Sequence, residues 1–290
     1  AVLAAADGYI ASIGIRPASF GRFIIINHPN GLSTLYGHLN DFYPELEKYV
    51  TDRQYETESW VQEIDFSSSQ FKVNKGQFIA FSGNTGGSQG PHLHFEIFAT
   101  KTGKRLNPYL FNFPVEDNIP PYFNKLAIYD RSLSVYKQVP QIFAVKKTDS
   151  GYIIPKQPLI RTGLTELSFG IQAFDKMYTR GSDDGIYAAK LFVDEIPQVE
   201  FVLDSISYEE TMAINSQIDY KFRTNGGGWL QHLSKMPGDA TNIYRPIKND
   251  GKIILTDTNV HTIRIEIRDA FENTSNLSFL LQHDDSIEVK

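Results

Sequence analysis

Two histidines separated by one residue stand out in the first half of the chain, in segment 90–96, GPHLHFE. Residues i and i+2 of a β-strand project from the same face of the sheet, so His92 and His94 are expected to aim two imidazoles at one point. Neutral imidazole is the commonest metal ligand in proteins and titrates near neutral pH. The pair therefore predicts a metal or proton-transfer site, while the alternative is a chance pair on a solvated face.

A third histidine, His38, lies at a strand end in segment 33–39, STLYGHL. Taken alone it is typical of an ordinary half-buried histidine. The glycine-dense segment 81–90, FSGNTGGSQG, precedes the histidine pair. It lacks the Gly-Lys-Ser/Thr ending of a phosphate-binding loop and leads into a strand, so we expect it to adopt positive φ angles and bring backbone close to a groove.

The elements that must position these histidines are mostly strands. Alternating or β-branched runs bounded by Gly, Pro or Asn predict strands at Gly8–Ile13, Phe23–Asn27, Ser33–His38, Phe78–Ser82 and His92–Phe98.

One helix is predicted, over residues 44–64. Pro44 suits its first turn, and Glu45 and Glu47 complement the positive end of the helix dipole. It is interpreted as a surface decoration, and the functional alternative is a wall or lid that restricts access to a groove.

Composition excludes several classes of protein. The 290 residues are 41% hydrophobic, enough for one large core or two smaller ones, and two domains are expected. A net charge of -6 argues against a nucleic-acid partner. The chain has no cysteine, so a metal would need histidine and carboxylate ligands. No apolar run is long enough to span a membrane, and the alanine-rich start is interpreted as a strand instead of a signal peptide.

Six ordered blocks between residues 1 and 109 resemble the lysostaphin/LytM-type zinc metallopeptidases, which cut peptides of bacterial peptidoglycan. The blocks are 2–10 VLAAADGYI, 21–28 GRFIIINH, 35–39 LYGHL, 73–80 VNKGQFIA, the glycine-rich turn with 92–96 HLHFE, and 107–108 NP. The resemblance implies a mainly β fold with an antiparallel peptidase sheet over residues 1–110, zinc as the metal, and peptidoglycan peptides as the substrate. It also implies a place in the cell envelope, periplasmic or extracellular.

The resemblance also implies roles for the three histidines. The second histidine of the H-x-H pair is a zinc ligand in this family, and it corresponds to His94. The first, His92, and the histidine of the Tyr-x-His-Leu block, His38, would assist the metal-activated water and the oxyanion.

The sequence departs from the family pattern in one respect. The other two zinc ligands of the family lie in a His-x-x-x-Asp block, and no such block precedes Ala6. The remaining histidines, His28, His232, His261 and His283, lie in other blocks and do not replace it. One protein ligand cannot hold catalytic zinc, so the printed chain alone is expected to be inactive.

Three interpretations stay open. The printed chain is part of a longer active metalloendopeptidase, or it is a degenerate relative that binds wall peptides or activates a partner hydrolase. The third, an unrelated H-x-H metal enzyme of the cupin or carbonic anhydrase type, does not account for the six ordered blocks.

The second half has a different character. Residues 111–121 are rich in proline and are interpreted as a linker. Residues 122–290 are expected to form an immunoglobulin-like β-sandwich that acts as an accessory domain and could bind an envelope protein. Strands are predicted at Lys125–Tyr129, Gln141–Val145, Leu167–Phe174, Ile186–Val193, Gln217–Phe222, Lys252–Leu255 and Thr262–Ile267.

Aspartates in this half admit two interpretations. Asp175 and the Asp183-Asp184-Gly185 segment could suggest calcium, which takes oxygen ligands. The spacing of an EF-hand loop is absent, and Asp-Gly pairs usually form turns, so turns are the expected structure.

Overall fold

The computed structural model describes residues 1–178, 181–246 and 248–289. Most of its regular structure is β-strand, which confirms the predicted mainly β class. The chain divides into two units, Ala1–Pro108 and Tyr109–Lys290. Helices among the described residues are all too short or too polar to cross a bilayer.

The first unit contains ten strands and one α-helix. The strands are β1 (Val2–Leu3), β2 (Gly8–Ile15), β3 (Arg22–Asn27), β4 (Leu32–Gly37), β5 (Leu39–Phe42), β6 (Gln62–Asp65), β7 (Lys72–Val73), β8 (Phe78–Ser82), β9 (His94–Ala99) and β10 (Arg105–Leu106), and the helix is α1 (Pro44–Glu56).

Two antiparallel sheets organise this unit. The larger runs in the order β10-β9-β4-β3-β2-β6, with β7 also paired to β2, and the smaller runs β1-β8-β5. Ile13 and Ile15 alternate along β2, as Ile24 and Ile26 do along β3, and these almost fully buried side chains form the core together with Tyr36. Ile10 joins the same core because the register of β2 shifts between Ile10 and Ser12. This alternation is the reason that the strands were readable from the sequence.

The predicted helix over residues 44–64 is too long. Helix α1 ends at Glu56, and residues 62–65 form β6, which pairs antiparallel with β2. Leu46 and Val50 are the buried residues of the helix. Beyond them no apolar residue continues the helical spacing, and Glu58 has a φ of 48°, so the chain turns and joins the sheet.

The described residues of the second unit form fourteen strands and several short helical turns. The strands are β11 (Tyr122–Asp130), β12 (Gln141–Ala144), β13 (Lys146–Thr148), β14 (Gly151–Ile153), β15 (Leu159–Thr162), β16 (Glu166–Phe174), β17 (Ala188–Val193), β18 (Ile196–Val202), β19 (Ser205–Ile206), β20 (Gln231–His232), β21 (Tyr244–Pro246), β22 (Ile253–Ile254), β23 (Val260–Arg268) and β24 (Thr274–His283). The α-helical turn α2 covers Tyr220–Phe222, a π-type turn covers Arg223–Gly227, and 3-10 turns lie at Pro108–Phe111, Val135–Lys137, Ala213–Gln217 and Asn249–Gly251.

Two sheets of this unit enclose a common core. One runs β12-β11-β16-β20 and the other β13-β14-β24-β23-β17-β18-β21. Phe169 of β16 contacts Phe279 of β24 edge to face, with ring centroids 5.5 Å apart. Strands β14 and β15 pair parallel with β24, while the other pairings are antiparallel.

The predicted strand at Gln217–Phe222 is wrong. The segment forms the end of a 3-10 turn followed by α2. The Asp219 carboxylate accepts a hydrogen bond from the backbone N–H of Phe222 at 2.8 Å, which caps the turn. This local side-chain bond competes with strand pairing and decides the structure.

Candidate active site

The imidazole of His94 is held by a carboxylate. Its Nε2 lies 2.9 Å from Oε1 of Glu96, two residues further along β9. The other carboxylate oxygen of Glu96 accepts from Nε of Arg105 at 2.7 Å, and this arginine lies on the neighbouring strand β10. Because Nε2–H donates to the carboxylate, the lone pair of His94 is on Nδ1, which leaves that nitrogen available as a ligand.

The imidazole of His38 lies where the chain leaves one sheet for the other. His38 follows the last residue of β4 and precedes β5, and its φ is 58°, a value that few residues other than glycine adopt. Its backbone N–H donates to the carbonyl of Phe20 at 2.8 Å, and its Nδ1–H donates to the carbonyl of Thr85 at 2.8 Å. The ring is therefore fixed with its Nε2 lone pair unengaged by these contacts.

The imidazole of His92 is more open to solvent. Its Nδ1 lies 2.8 Å from the carbonyl oxygen of Gly90 and 3.2 Å from Oγ of Ser88. A carbonyl oxygen only accepts, so Nδ1 carries the proton and Nε2 the lone pair. The sequence predicted that His92 lies on the same strand as His94, and this is wrong. Strand β9 begins at His94, and His92 forms an isolated bridge with Gly83.

The structure brings the three predicted site residues together. The ring centroids of His38 and His92 are 4.7 Å apart, and those of His38 and His94 are 5.7 Å apart. His38 is buried, with 6% of its surface exposed, whereas the side chain of His94 is 35% exposed. The arrangement is a partly open cleft that carries two imidazoles with Nε2 lone pairs and one with an Nδ1 lone pair.

The glycine-rich turn supports this cleft by close backbone packing. Gly86 has a φ of +72°, and a Cβ there would lie 2.3 Å from the backbone nitrogen of Gly21. Thr85 in the same turn holds His38 through its carbonyl, and its Oγ1 accepts from the N–H of Arg22 at 2.9 Å. The predicted close approach of this turn is therefore made to the loop before β3, and it orients a histidine.

The helix insertion lies beside this loop. Arg22 donates from its guanidinium to the Glu47 carboxylate of α1 at 2.5 Å and stacks over the ring of Phe42 at 4.5 Å. A cavity of about 430 Å³ opens between the helix and the exposed ring of Trp60. The insertion is thus attached to the domain by a partly buried ion pair as well as by its two apolar core residues.

The histidines fit zinc in part. The Nδ1 of His94, oriented by a carboxylate on the opposite nitrogen, has the arrangement of a typical zinc-binding imidazole. Three ligand nitrogens around tetrahedral zinc lie about 3.3 Å apart. The ring nitrogens of His38, His92 and His94 do not come this close, because no choice of one nitrogen from each ring puts all three within 4.8 Å of one another. The trio therefore offers one prepared ligand and two imidazoles beside it, not a three-histidine site.

His28 is excluded as a further ligand by its own hydrogen bonds. Its Nδ1 lies 2.8 Å from the carbonyl oxygen of Asp7, and its Nε2 lies 2.9 Å from Oγ1 of Thr34. The ring is buried and both nitrogens are engaged. It acts as a structural residue, and it does not replace the missing ligands of the His-x-x-x-Asp block.

Two residues of the site were not identified from the sequence. Glu96 lies in the HLHFE block, which assigns it no role by itself, and Arg105 lies outside the histidine motifs. The signal was present for Glu96, because residues 94 and 96 share one face of a strand. Arg105 could not be found in this way, because it is brought to Glu96 by the pairing of two strands.

The first unit is similar in sequence to known peptidases. Residues 59–108 match the sequence profile described as peptidase family M23. The DD-carboxypeptidase/endopeptidase Mpg of Neisseria meningitidis serogroup B is 34% identical over 116 residues, which are 40% of this chain and 21% of that protein. The peptidoglycan DD-endopeptidase ShyA of Vibrio cholerae is 29% identical over 119 residues, 41% of this chain and 22% of that protein. The matched region thus spans about a fifth of the length of these curated relatives.

A solved structure overlaps in a smaller region. The crystal structure of a zinc containing peptidase from Vibrio cholerae is 27% identical, covering 33% of this chain and 22% of that chain, with a TM-score of 0.23. The similarity to known peptidases therefore rests on the sequence matches.

Proposed function

We propose that the N-terminal unit belongs to peptidase family M23 and that the chain is part of a zinc metalloendopeptidase acting on peptidoglycan peptides. The observation that carries the proposal is the arrangement of His94, its carboxylate partner Glu96, and the adjacent rings of His38 and His92.

His94 would hold zinc through Nδ1, and two further ligands would come from a His-x-x-x-Asp segment of the kind that the family uses. When bound, zinc would polarise the scissile carbonyl and lower the pKa of a water toward 7.

The other two imidazoles would handle protons and charge. His38 and His92 each keep Nδ1–H on a backbone carbonyl, so each presents Nε2. As a neutral base, an Nε2 lone pair accepts a proton from the attacking water, and as an imidazolium it donates a hydrogen bond to the oxyanion and a proton to the leaving amine. Such groups typically contribute about 10²–10⁴-fold each to rate.

The proposal is tested with single variants of the whole metalloendopeptidase of which this chain is proposed to be a part, called the parent chain below. His94→Ala is expected to lose both zinc, measured by elemental analysis, and muropeptide hydrolysis, measured by liquid chromatography. His38→Asn and His92→Ala are expected to retain zinc and lose about 10²-fold or more in kcat. His28→Gln serves as the control outside the cleft. Full hydrolysis by His94→Ala, or zinc loss confined to the His38 and His92 variants, would refute these roles.

A second candidate is a catalytically inactive relative that binds wall peptides or activates a partner hydrolase. The observation that favours it is that the described residues supply one oriented ligand nitrogen at the cleft instead of three. A zinc-free parent chain that hydrolyses no muropeptide but binds it, with binding reduced by His92→Ala, would support this second function.

We also propose that residues 122–290 form an immunoglobulin-like accessory domain, joined through a linker at 111–121, and that the protein works in the cell envelope, periplasmic or extracellular. The two facing sheets support the sandwich part of this proposal. Cosedimentation with purified sacculi, compared between the full chain and a chain that lacks residues 122–290, tests the accessory role. Equal binding and equal hydrolysis by both would refute it.

A further inference from the structure

Three buried aspartates of the second unit converge at one point. Asp117 lies before β11, Asp175 follows β16, and Asp269 follows β23. Their exposed fractions are 7%, 7% and 0%, and one carboxylate oxygen from each lies within 4.8 Å of the others. Carboxylates separated by up to 152 positions in the chain (117 to 269) are thus placed together inside a β-rich unit.

Two oxygens of this cluster have no hydrogen-bond donor. Oδ2 of Asp117 and Oδ1 of Asp175 are buried without a partner. By contrast, both oxygens of Asp269 have donors: Oδ1 accepts from the N–H groups of Phe271 and Asn273 at 2.8 and 2.9 Å, and Oδ2 accepts from the Asn273 amide at 2.7 Å. A carboxylate has about four acceptor sites, so these bonds orient Asp269 and leave Oδ2 able to accept once more. A buried carboxylate oxygen without a donor is costly, since it has lost its water without replacement.

The neighbouring basic side chains are engaged elsewhere. Lys176 follows Asp175 in sequence, but its ammonium pairs with Asp183 at 3.1 Å. Arg268 precedes Asp269, but its guanidinium pairs with Glu272. Neither of these ion pairs neutralises the cluster. Burial is the main cause that raises the pKa of Asp175, to about 6, and the neighbouring carboxylates raise this pKa further.

We propose that Asp117, Asp175 and Asp269 bind a calcium ion. Oxygens at 2.3–2.6 Å from one Ca²⁺ lie at most about 5 Å apart, which the three carboxylates satisfy. An all-oxygen donor set selects a hard cation over zinc or copper. Calcium takes six to eight oxygens in a flexible geometry, so three carboxylates with water completing the shell suit it better than Mg²⁺, which requires near-ideal octahedral geometry.

The ion would stabilise a particular part of the unit. Asp117 belongs to the segment that leads into β11, and its backbone carbonyl already accepts from the Asn273 amide at 3.0 Å. A cation shared with Asp175 and Asp269 would fix this segment to the ends of two strands. The site is independent of the histidine cleft, so its test does not depend on peptidase activity.

The experiment uses the full chain, stripped with EDTA and titrated with CaCl₂ at pH 7.5 by calorimetry and by thermal unfolding. We expect one Ca²⁺ per chain, with a dissociation constant of about 10⁻³ M or tighter, and a rise of the unfolding midpoint with calcium. Asp117→Asn and Asp175→Asn are expected to weaken binding at least tenfold. Asp149→Asn, an exposed aspartate of the same unit, is the matched control and is expected to bind as the wild type does.

A second measurement separates a metal site from a purely structural role. In EDTA, Asp175→Asn removes one of three repelling charges, so its unfolding midpoint should equal or exceed that of the wild type. With calcium it should show no increment, while the wild type gains. No calcium uptake up to 10 mM, equal uptake by both cluster variants and the control, or binding of Mg²⁺ as tightly as Ca²⁺ would overturn the proposal.

Discussion

Replacement of Glu96 by glutamine tests how the ligand nitrogen of His94 is prepared. The carboxylate of Glu96 accepts from His94 Nε2 at 2.9 Å and from Arg105 Nε at 2.7 Å, and its side chain is only 13% exposed. Glutamine has the same shape but one acceptor oxygen. Because Arg105 can only donate, the single glutamine oxygen remains its hydrogen-bond acceptor, and the glutamine NH₂ group then faces His94.

An NH₂ group requires an acceptor, so the imidazole of His94 must change tautomer. The proton moves from Nε2 to Nδ1, which removes the lone pair from the proposed ligand atom. Changes to such supporting groups typically cost about 10–100-fold in metal affinity, equivalent to about 1.4–2.7 kcal/mol.

Two assays measure this effect. Long-range ¹H–¹⁵N NMR reports the tautomer of His94 without metal and is expected to show Nε2–H in the wild type and Nδ1–H in Glu96→Gln. Competition with a chelator measures zinc affinity of the parent chain. Glu63→Gln, which alters an exposed ion pair with Arg16 in the same unit, is the control. The same tautomer in wild type and Glu96→Gln, with unchanged zinc affinity, would refute the reasoning.

Three further predictions concern stability. Gly86→Ala and Gly31→Ala both place alanine at positive φ, +72° and +81°, but only the Cβ at position 86 would meet backbone atoms. In urea unfolding, Gly31→Ala should lower the free energy of unfolding by about 1 kcal/mol, and Gly86→Ala should lower it several times as much. Equal losses would contradict the close approach of the glycine-rich turn. Glu47→Gln should lower the free energy of unfolding by about 1–3 kcal/mol, because it weakens the ion pair to the largely buried Arg22; an unchanged midpoint would show that the helix insertion does not depend on this pair. Burial lowers the pKa of His232 to about 4, so between pH 6.5 and 4 the unfolded chain binds a proton that the folded chain does not. The free energy of unfolding should therefore fall by about 3 kcal/mol as the pH falls through this range. His232→Gln should remove that part of the pH dependence, and parallel pH profiles of wild type and variant would contradict it.

Local patterns were sufficient for the five strands of the first unit that span five residues or more, β2, β3, β4, β8 and β9, but not for the shorter strands β5, β6, β7 and β10. Strand β8 has the predicted bounds, Phe78–Ser82, and β3 begins one residue earlier than predicted. Alternating isoleucines and flanking turn residues mark such strands in any context. The helix was overextended to residue 64 because its end is decided by pairing of β6 with β2, which is a tertiary contact.

In the candidate active site, too, residues that belong to a local motif were predictable and contacts made by tertiary structure were not. His38, His92 and His94 were identified from the sequence as candidate residues, but the displacement of His92 from strand β9 was not. Arg105 reaches Glu96 through strand pairing, which a motif does not contain.

The aspartate cluster could not be predicted at all. The notion of calcium at Asp175 rested on the nearby Asp183-Asp184-Gly185 segment, whereas the structure joins Asp175 to residues far away in sequence. The nearby segment does not form the expected turn. Asp184 forms an isolated antiparallel bridge with Asp175 through two backbone hydrogen bonds.

The position of His38 at the crossing between two sheets has a consequence for how this domain can vary. Strand β5, which follows His38, is paired with β8 before the chain enters α1. The imidazole of His38 is therefore anchored upstream of the insertion by sheet pairing and by the glycine-rich turn. Length variants of residues 44–61 can thus change the surface that the insertion presents while this imidazole keeps its place.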